Sequence, residues 1–223
     1  LDLKLVACNT CGLVRVSPRP DLHELYAGYI EAGHGAAEAV QRKLDRKNVR
    51  SIHRTHVKTA IAACTTKPLK LFDMGCGAGT MLMEAKELGL EAWGNEVNKA
   101  AVDLLNGMGF NVWHGFTFEL DLPVSQFDIV INFDYLEHSY TPLEDLKTCF
   151  EISKPGGILY LKTLYLDCPA HKEKGENWQL FGLGHFHFFS VDVLKKMVES
   201  VGYKIKDVRV GGLVFILAER PLA

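Results

Sequence analysis

The chain has 223 residues, 48% of them hydrophobic and 23% charged, and its 25 Lys and Arg nearly balance 27 Asp and Glu for a formal charge of -2. That composition excludes wholesale disorder and a globally basic nucleic-acid binder, and it fits one globular domain or one domain with a small appendage. The longest apolar runs, such as Gly212 to Ala218, fall far short of the roughly 20 residues of a membrane span, so no membrane partner is expected.

Two short alternating runs flank Cys8-Asn-Thr-Cys11-Gly12 and predict a hairpin with a tight cysteine turn. Ser17-Pro-Arg-Pro20 closes it, and Asp21 caps a short predicted helix through Tyr26. Residues 36–63 hold no Gly or Pro and read as one long helix with apolar Leu44, Val49, Ile52, Val57 and Ile61. Lys43, Lys47, Arg50, Arg54 and Lys58 recur at spacings of three and four, which puts them on one face.

From Leu69 the pattern alternates between strand and helix. Strands are expected at 69–72, 92–95, 110–113, 127–132 and 157–163, with helices over 80–88, 99–108 and 142–152. Residues 167–189 carry few periodic signals and read as a long loop in which Tyr165 and Trp178 stand where substrate lids occur. Ser190 caps a last helix to Ser200, and 203–209 with 213–218 form a hairpin around Gly211-Gly212. Such alternation argues for an α/β fold with a mostly parallel sheet covered on both faces. The chain divides into a cysteine-containing hairpin segment (1–35), a helical lid or cap (36–68) and a ligand-binding domain (69–223).

Phe72-Asp-Met-Gly-Cys-Gly-Ala-Gly79 lies between a strand and a helix, at the carboxyl end of the strand where open sheets bind ligands. The dinucleotide fingerprint fails in both registers, because Thr80 or Leu82 stands where glycine is needed. Glu96 ends the next strand and is placed to accept from both hydroxyls of a ribose. A sugar reader without a pyrophosphate cradle points to a nucleoside ligand that lacks a diphosphate.

These residues resemble the first motif of class I S-adenosylmethionine-dependent methyltransferases. The resemblance continues through Gly94-Asn-Glu96, Phe127-Asp-Ile-Val-Ile-Asn-Phe-Asp134, Leu136-Glu-His138, Ser153-Lys-Pro-Gly-Gly-Ile-Leu159, His185-Phe-His-Phe-Phe-Ser190 and Val201-Gly-Tyr203, covering about residues 69–219. It implies a Rossmann-like seven-stranded sheet with an antiparallel last strand, and S-adenosyl-L-methionine as cofactor. Asp73, Gly75 and Gly77 would border the cofactor's methionine part, Cys76 and Gly79 belong to the same cofactor-binding loop, Glu96 would hold the ribose, and Phe116 and Phe133 would line adenine and sulfonium. One departure stands out: many relatives carry Asp after the glycine that follows the third strand, and here Gly115 is followed by Phe116.

The expected activity is methyl transfer to a small-molecule acceptor, a sugar or other biosynthetic intermediate, at oxygen. An oxygen acceptor must lose a proton, and the candidate bases are Asp134, Glu137, His138 and His185. His185 and His187 would point to opposite sides of an extended run, and neither has an evident third metal ligand. The basic helix face suggests an anionic acceptor, whereas RNA is disfavoured by the missing aromatic interleaving. A catalytically silent binding protein and an NAD-dependent oxidoreductase are the other readings.

Cys8-Asn-Thr-Cys11-Gly12 is half of a zinc-ribbon site. Some methyltransferases carry a similar start with a further cysteine pair upstream, so Cys8 and Cys11 are expected to bind zinc in a longer protein. The chain begins at Leu1 without a signal-peptide pattern, consistent with a fragment and a cytoplasmic enzyme. Cys64, Cys76, Cys149 and Cys168 are isolated and read as core or loop residues.

Overall fold

A computed structural model describes residues 4–19, 21, 22, 27, 41, 42, 45–181 and 184–222. Residues 23–26 of the expected helix through Tyr26, and 36–40 with Lys43 and Leu44 of the 36–63 helix, lie outside the described residues.

The cysteine hairpin forms as expected, with β1 (Lys4–Ala7) antiparallel to β2 (Val14–Ser17). Helix α1 runs Lys47–Ala63; the expected 36–63 helix is interrupted before it, since Gln41 and Arg42 are helical while Asp45 and Arg46 are not. The alternating part follows as β3 (Lys70–Met74), α2 (Thr80–Glu87), β4 (Glu91–Glu96), α3 (Lys99–Gly107), β5 (Asn111–His114), β6 (Phe127–Phe133), α4 (Pro142–Ile152) and β7 (Ser153–Thr163). Local chemistry sets the helix starts: the Asn98 side chain accepts from the Ala100 and Ala101 amides, and Pro142 opens α4 where no amide donor is needed.

The 167–189 stretch is more regular than its sequence indicated. It holds α5 (Pro169–Lys174), a 3-10 turn at Gly175–Asn177 and the short strand β8 (His187–Phe188). Trp178 is buried among Phe181, Phe188 and His171, and the buried Tyr165 donates its hydroxyl proton to the Gly211 carbonyl at 2.9 Å. Both are core residues and not lid aromatics. Helix α6 (Val191–Ser200) is capped by Ser190, and β9 (Lys204–Val210) with β10 (Val214–Glu219) closes the chain.

The main sheet has the order β5-β4-β3-β6-β7-β10-β9, and β10 is antiparallel to both its neighbours. The strand period of two splits its side chains between faces. Leu71, Ile129, Ile131 and Tyr160 pack under α1 and α2, while Phe72, Val130, Leu159 and Leu161 pack under α4 and α6. A second sheet of order β1-β2-β8 forms because β2 pairs with β8, and Val16 enters the core beside α6. Among the described residues no helix is long and apolar enough to cross a membrane.

The basic face of α1 has an internal partner. Arg50 and Arg54 both bridge to Glu84 and Glu87 on α2, with Arg50 Nε 2.6 Å and Arg54 Nη1 2.9 Å from the two Glu84 oxygens. Glu84 is only 2% exposed, so these arginines neutralise a buried carboxylate and are not a landing surface for an anionic acceptor. The double substitution Arg50→Ala/Arg54→Ala strands that charge. It should lower Tm in differential scanning fluorimetry by roughly 5–10 °C while leaving the acceptor KM unchanged.

Candidate functional site

The strand order reverses direction of growth beside β3, with β4 on one side and β6 on the other. A cavity of about 510 Å³ opens there, at the carboxyl ends of β3, β4 and β6. One wall is the glycine loop after β3: Gly75, Cys76 and Gly77, together with Ala78 and Thr80 at the start of α2. Gly75, Gly77 and Gly79 have φ of +66°, +55° and +76°, values that side chains other than glycine adopt at a cost.

Glu96 closes this wall at the end of β4. Its Oε2 accepts from the Gly77 amide at 2.8 Å, and its Oε1 accepts from the Asn98 amide at 2.9 Å. The carboxylate thus orders the glycine loop and the entry to α3 at once. Asn95, one residue earlier, accepts from the Gly75 amide at 3.2 Å through Oδ1. Its Nδ2 donates to the Gly115 carbonyl and to Thr117 Oγ1. Thr117 Oγ1 lies 2.7 Å from the Tyr135 hydroxyl, so the loops after β3, β5 and β6 form one hydrogen-bonded unit. Sequence reasoning missed Asn95 and Thr117; only the position of Asn95 beside Glu96 offered a signal.

Of the eight residues expected to hold a cofactor, Gly75, Cys76, Gly77, Glu96, Phe116 and Phe133 line the cavity. Asp73 and Gly79 do not. Asp73 is buried beneath the loop, where burial and then the Glu96 carboxylate push its pKa up to about 8. Gly79 is the left-handed residue that starts α2. The Cys76 thiol is buried and pushed upward by desolvation, which removes it as a nucleophile.

The opposite wall carries Arg46, Val49 and His53 from the α1 side and Asp134, Tyr135, His138 and Gly184 from the loops after β6 and before β8. His53 Nδ1 is 2.7 Å from Thr80 Oγ1, and burial, with help from Lys162, lowers its pKa to about 4. Asp134 is exposed, with φ of 49°, and forms an ion pair with Lys162. His138 Nδ1 lies 3.0 Å from the Gly184 carbonyl, and burial lowers its pKa. Its ring centroid is 4.5 Å from that of His185, whose Nδ1 lies 2.7 Å from the Leu180 carbonyl. Glu137 stands behind them, buried, accepting from Thr163 Oγ1 at 2.7 Å; desolvation pushes its carboxyl up to about 7.

His187 turns away, as alternation required. It is buried with Nδ1 3.0 Å from the Ser139 carbonyl, and it joins the β2–β8 pairing. Cys8 and Cys11 sit exposed on the hairpin turn, far from complete as a metal centre: among the described residues no third ligand joins them. Hydrogen bonds from Cys11 and Thr10 hold the Cys8 thiol down at about 7.

The chemistry of the cavity suits an uncharged-backbone nucleoside ligand with a diol. Gly77 presents open space where a side chain would stand, Glu96 supplies two acceptor oxygens, and Phe116 and Phe133 supply apolar faces. Among the described residues a diphosphate finds no cluster of cations on that wall.

Comparison with known proteins agrees. A family model described as a methyltransferase domain matches residues 38–208. The ubiquinone biosynthesis O-methyltransferase of Dinoroseobacter shibae is 27% identical over 162 residues, covering 67% of this chain and 64% of that protein. The enzyme of the same name from Parvibaculum lavamentivorans is 27% identical over 170 residues, covering 69% and 67%. The chain therefore spans less than two thirds of the first of these relatives. A solved SAM-dependent methyltransferase from Thermotoga maritima superposes with a TM-score of 0.61 at 17% identity, covering 82% of this chain and 97% of that one.

Proposed function

The chain belongs to the methyltransferase-domain family, and from that premise we propose that it moves a methyl group from S-adenosylmethionine to a hydroxyl oxygen of a small-molecule acceptor. One observation carries this reading: a single cavity has the glycine loop and Glu96 on one wall and His138, backed by Glu137 and His185, on the other. The oxygen preference is supported by the O-methyltransferase names of the two relatives.

Gly75, Gly77, Glu96, Phe116 and Phe133 are the residues that would hold the cofactor, which supplies an electrophilic methyl group on a sulfonium. Glu96 binds the ribose hydroxyls and keeps the loop open through the Gly77 amide. Phe133, under the Lys162 ammonium at 4.9 Å, walls off water near the reacting centre. The acceptor lies against Tyr135 and His138, and its hydroxyl proton leaves on the His138 side of the cavity. An anionic substituent on the acceptor meets Arg46, the cation that lines the cavity from the α1 side. The Cys8–Cys11 knuckle offers two of the four thiolates of a structural zinc site and takes no part in this chemistry.

Thermal shift and product release test the reading together. Saturating S-adenosylhomocysteine should raise Tm by several degrees while NAD leaves it unmoved. S-adenosylhomocysteine should then form with hydroxylated phenols or sugars, and stop when the hydroxyl is replaced by hydrogen. Binding without turnover across such acceptors would identify a silent binder, and a shift with NAD alone would overturn the cofactor.

A further inference from the structure

Glu137, His138 and His185 are separated by up to 48 positions in sequence, yet each offers a ligand atom within 4.8 Å of the others'. The fold builds this meeting deliberately: the amides of Phe186 and His187 both donate to the Glu137 carbonyl, at 2.8 and 3.2 Å. That clamp fixes the segment carrying His185 against the turn carrying Glu137 and His138.

The hydrogen bonds around the three groups decide what faces inward. A carbonyl oxygen only accepts, so His138 and His185 must each carry a proton on Nδ1, toward Gly184 and Leu180. In the neutral rings Nε2 is then a lone pair. Glu137 takes the Thr163 hydroxyl on Oε2, which orients its carboxyl group. The Nε2 lone pairs and the Glu137 carboxylate are the acceptors these three residues offer to a ligand. Backbone carbonyls on the outer nitrogen and a hydroxyl on the carboxylate are the usual orienting partners of metal ligands.

We propose that Glu137, His138 and His185 bind one divalent transition-metal ion of the zinc type, leaving a coordination position toward the cavity for the hydroxyl oxygen of the methyl acceptor. Two imidazoles and one carboxylate with an open position form a donor set suited to zinc, cobalt or manganese. Ligand atoms about 2.0–2.2 Å from such an ion lie roughly 3–3.5 Å apart, so small side-chain rotations close the cluster. His138 is the ligand that also lines the cavity, which puts the open position on the acceptor's side. The proposal deepens the oxygen-methylation reading and rests on it for the acceptor alone.

Cobalt(II) titration of the chelator-stripped chain tests it, in a Cys8→Ser/Cys11→Ser background that removes the exposed thiols. One equivalent should bind with the visible bands of a four- or five-coordinate ion, and zinc should displace it. Glu137→Gln keeps the side chain's size and its acceptance from Thr163, and should weaken binding at least 30-fold; His185→Ala should do the same or more. Unchanged S-adenosylhomocysteine affinity shows that each variant is folded. Absence of the bands, or equal binding by the Glu137→Gln and His185→Ala variants, overturns the proposal. Methyl transfer to a hydroxyl that persists undiminished in chelator would also overturn it while leaving the oxygen-methylation reading standing.

Discussion

Replacing Glu96 by alanine should raise the Kd for S-adenosylhomocysteine by more than 100-fold and lower the Tm of the free protein by several degrees, because the Gly77 and Asn98 amides lose their acceptor. The carboxylate is asked to do two things. It accepts from the Gly77 and Asn98 amides, which sets the loop and the start of α3, and under the proposed reading it accepts from the ribose diol. Hydrogen bonds to a charged group contribute about 1.5–3 kcal/mol each, so losing the diol contacts removes about 3 kcal/mol or more, and 1.4 kcal/mol is tenfold. Glutamine is not a mild substitute at this position. Both carboxylate oxygens face backbone N–H donors, so an amide nitrogen must point at one of them and set donor against donor. Glu96→Gln should therefore bind nearly as poorly as Glu96→Ala. Isothermal titration decides it: a Kd within threefold of the wild type for either variant would remove Glu96 from the binding site.

The parts of this site that the sequence made legible are those whose neighbours are local. The glycine loop and Glu96 each follow directly from a strand, and strand ends in an open parallel sheet are where ligands sit. The strand-helix alternation likewise gave the sheet, the closing hairpin and the Ser190 cap. What escaped depends on tertiary docking. Arg50 and Arg54 on α1 read as part of an anion site until Glu84 and Glu87, three residues apart on α2, are found beneath them. Trp178 and Tyr165 read as lid residues because their surroundings lack periodicity, but short elements without periodicity can still be packed, and both are buried. The union of His185 with Glu137 and His138 was invisible for the same reason. Spacing correctly separated His185 from His187, yet only the backbone clamp on the Glu137 carbonyl shows which partners His185 meets.

Two alanine substitutions two residues apart in the glycine loop should fail in different ways. At Gly75 an added Cβ would lie 2.4 Å from Cδ2 and 3.0 Å from Cε2 of the Tyr135 ring. That ring does not yield easily, because its hydroxyl is tied to Thr117, itself buried and bonded to Asn95. Overpacking costs about 1–3 kcal/mol and the left-handed backbone at φ +66° about 1 more, so Gly75→Ala should lower Tm of the free protein by roughly 5–12 °C. At Gly77 the added Cβ meets nothing within 4 Å. Only the left-handed backbone term applies there, about 1 kcal/mol or roughly 2–4 °C. The open space beside Gly77 is the cavity itself, so its methyl group takes volume from the ligand and not from the protein. Gly77→Ala should thus keep most of its stability and lose S-adenosylhomocysteine affinity by at least 30-fold. Fluorimetry and titration on the pair separate the two costs. Equal Tm losses would mean that the Tyr135 ring gives way, and wild-type affinity at Gly77→Ala would mean that the ligand does not approach this loop.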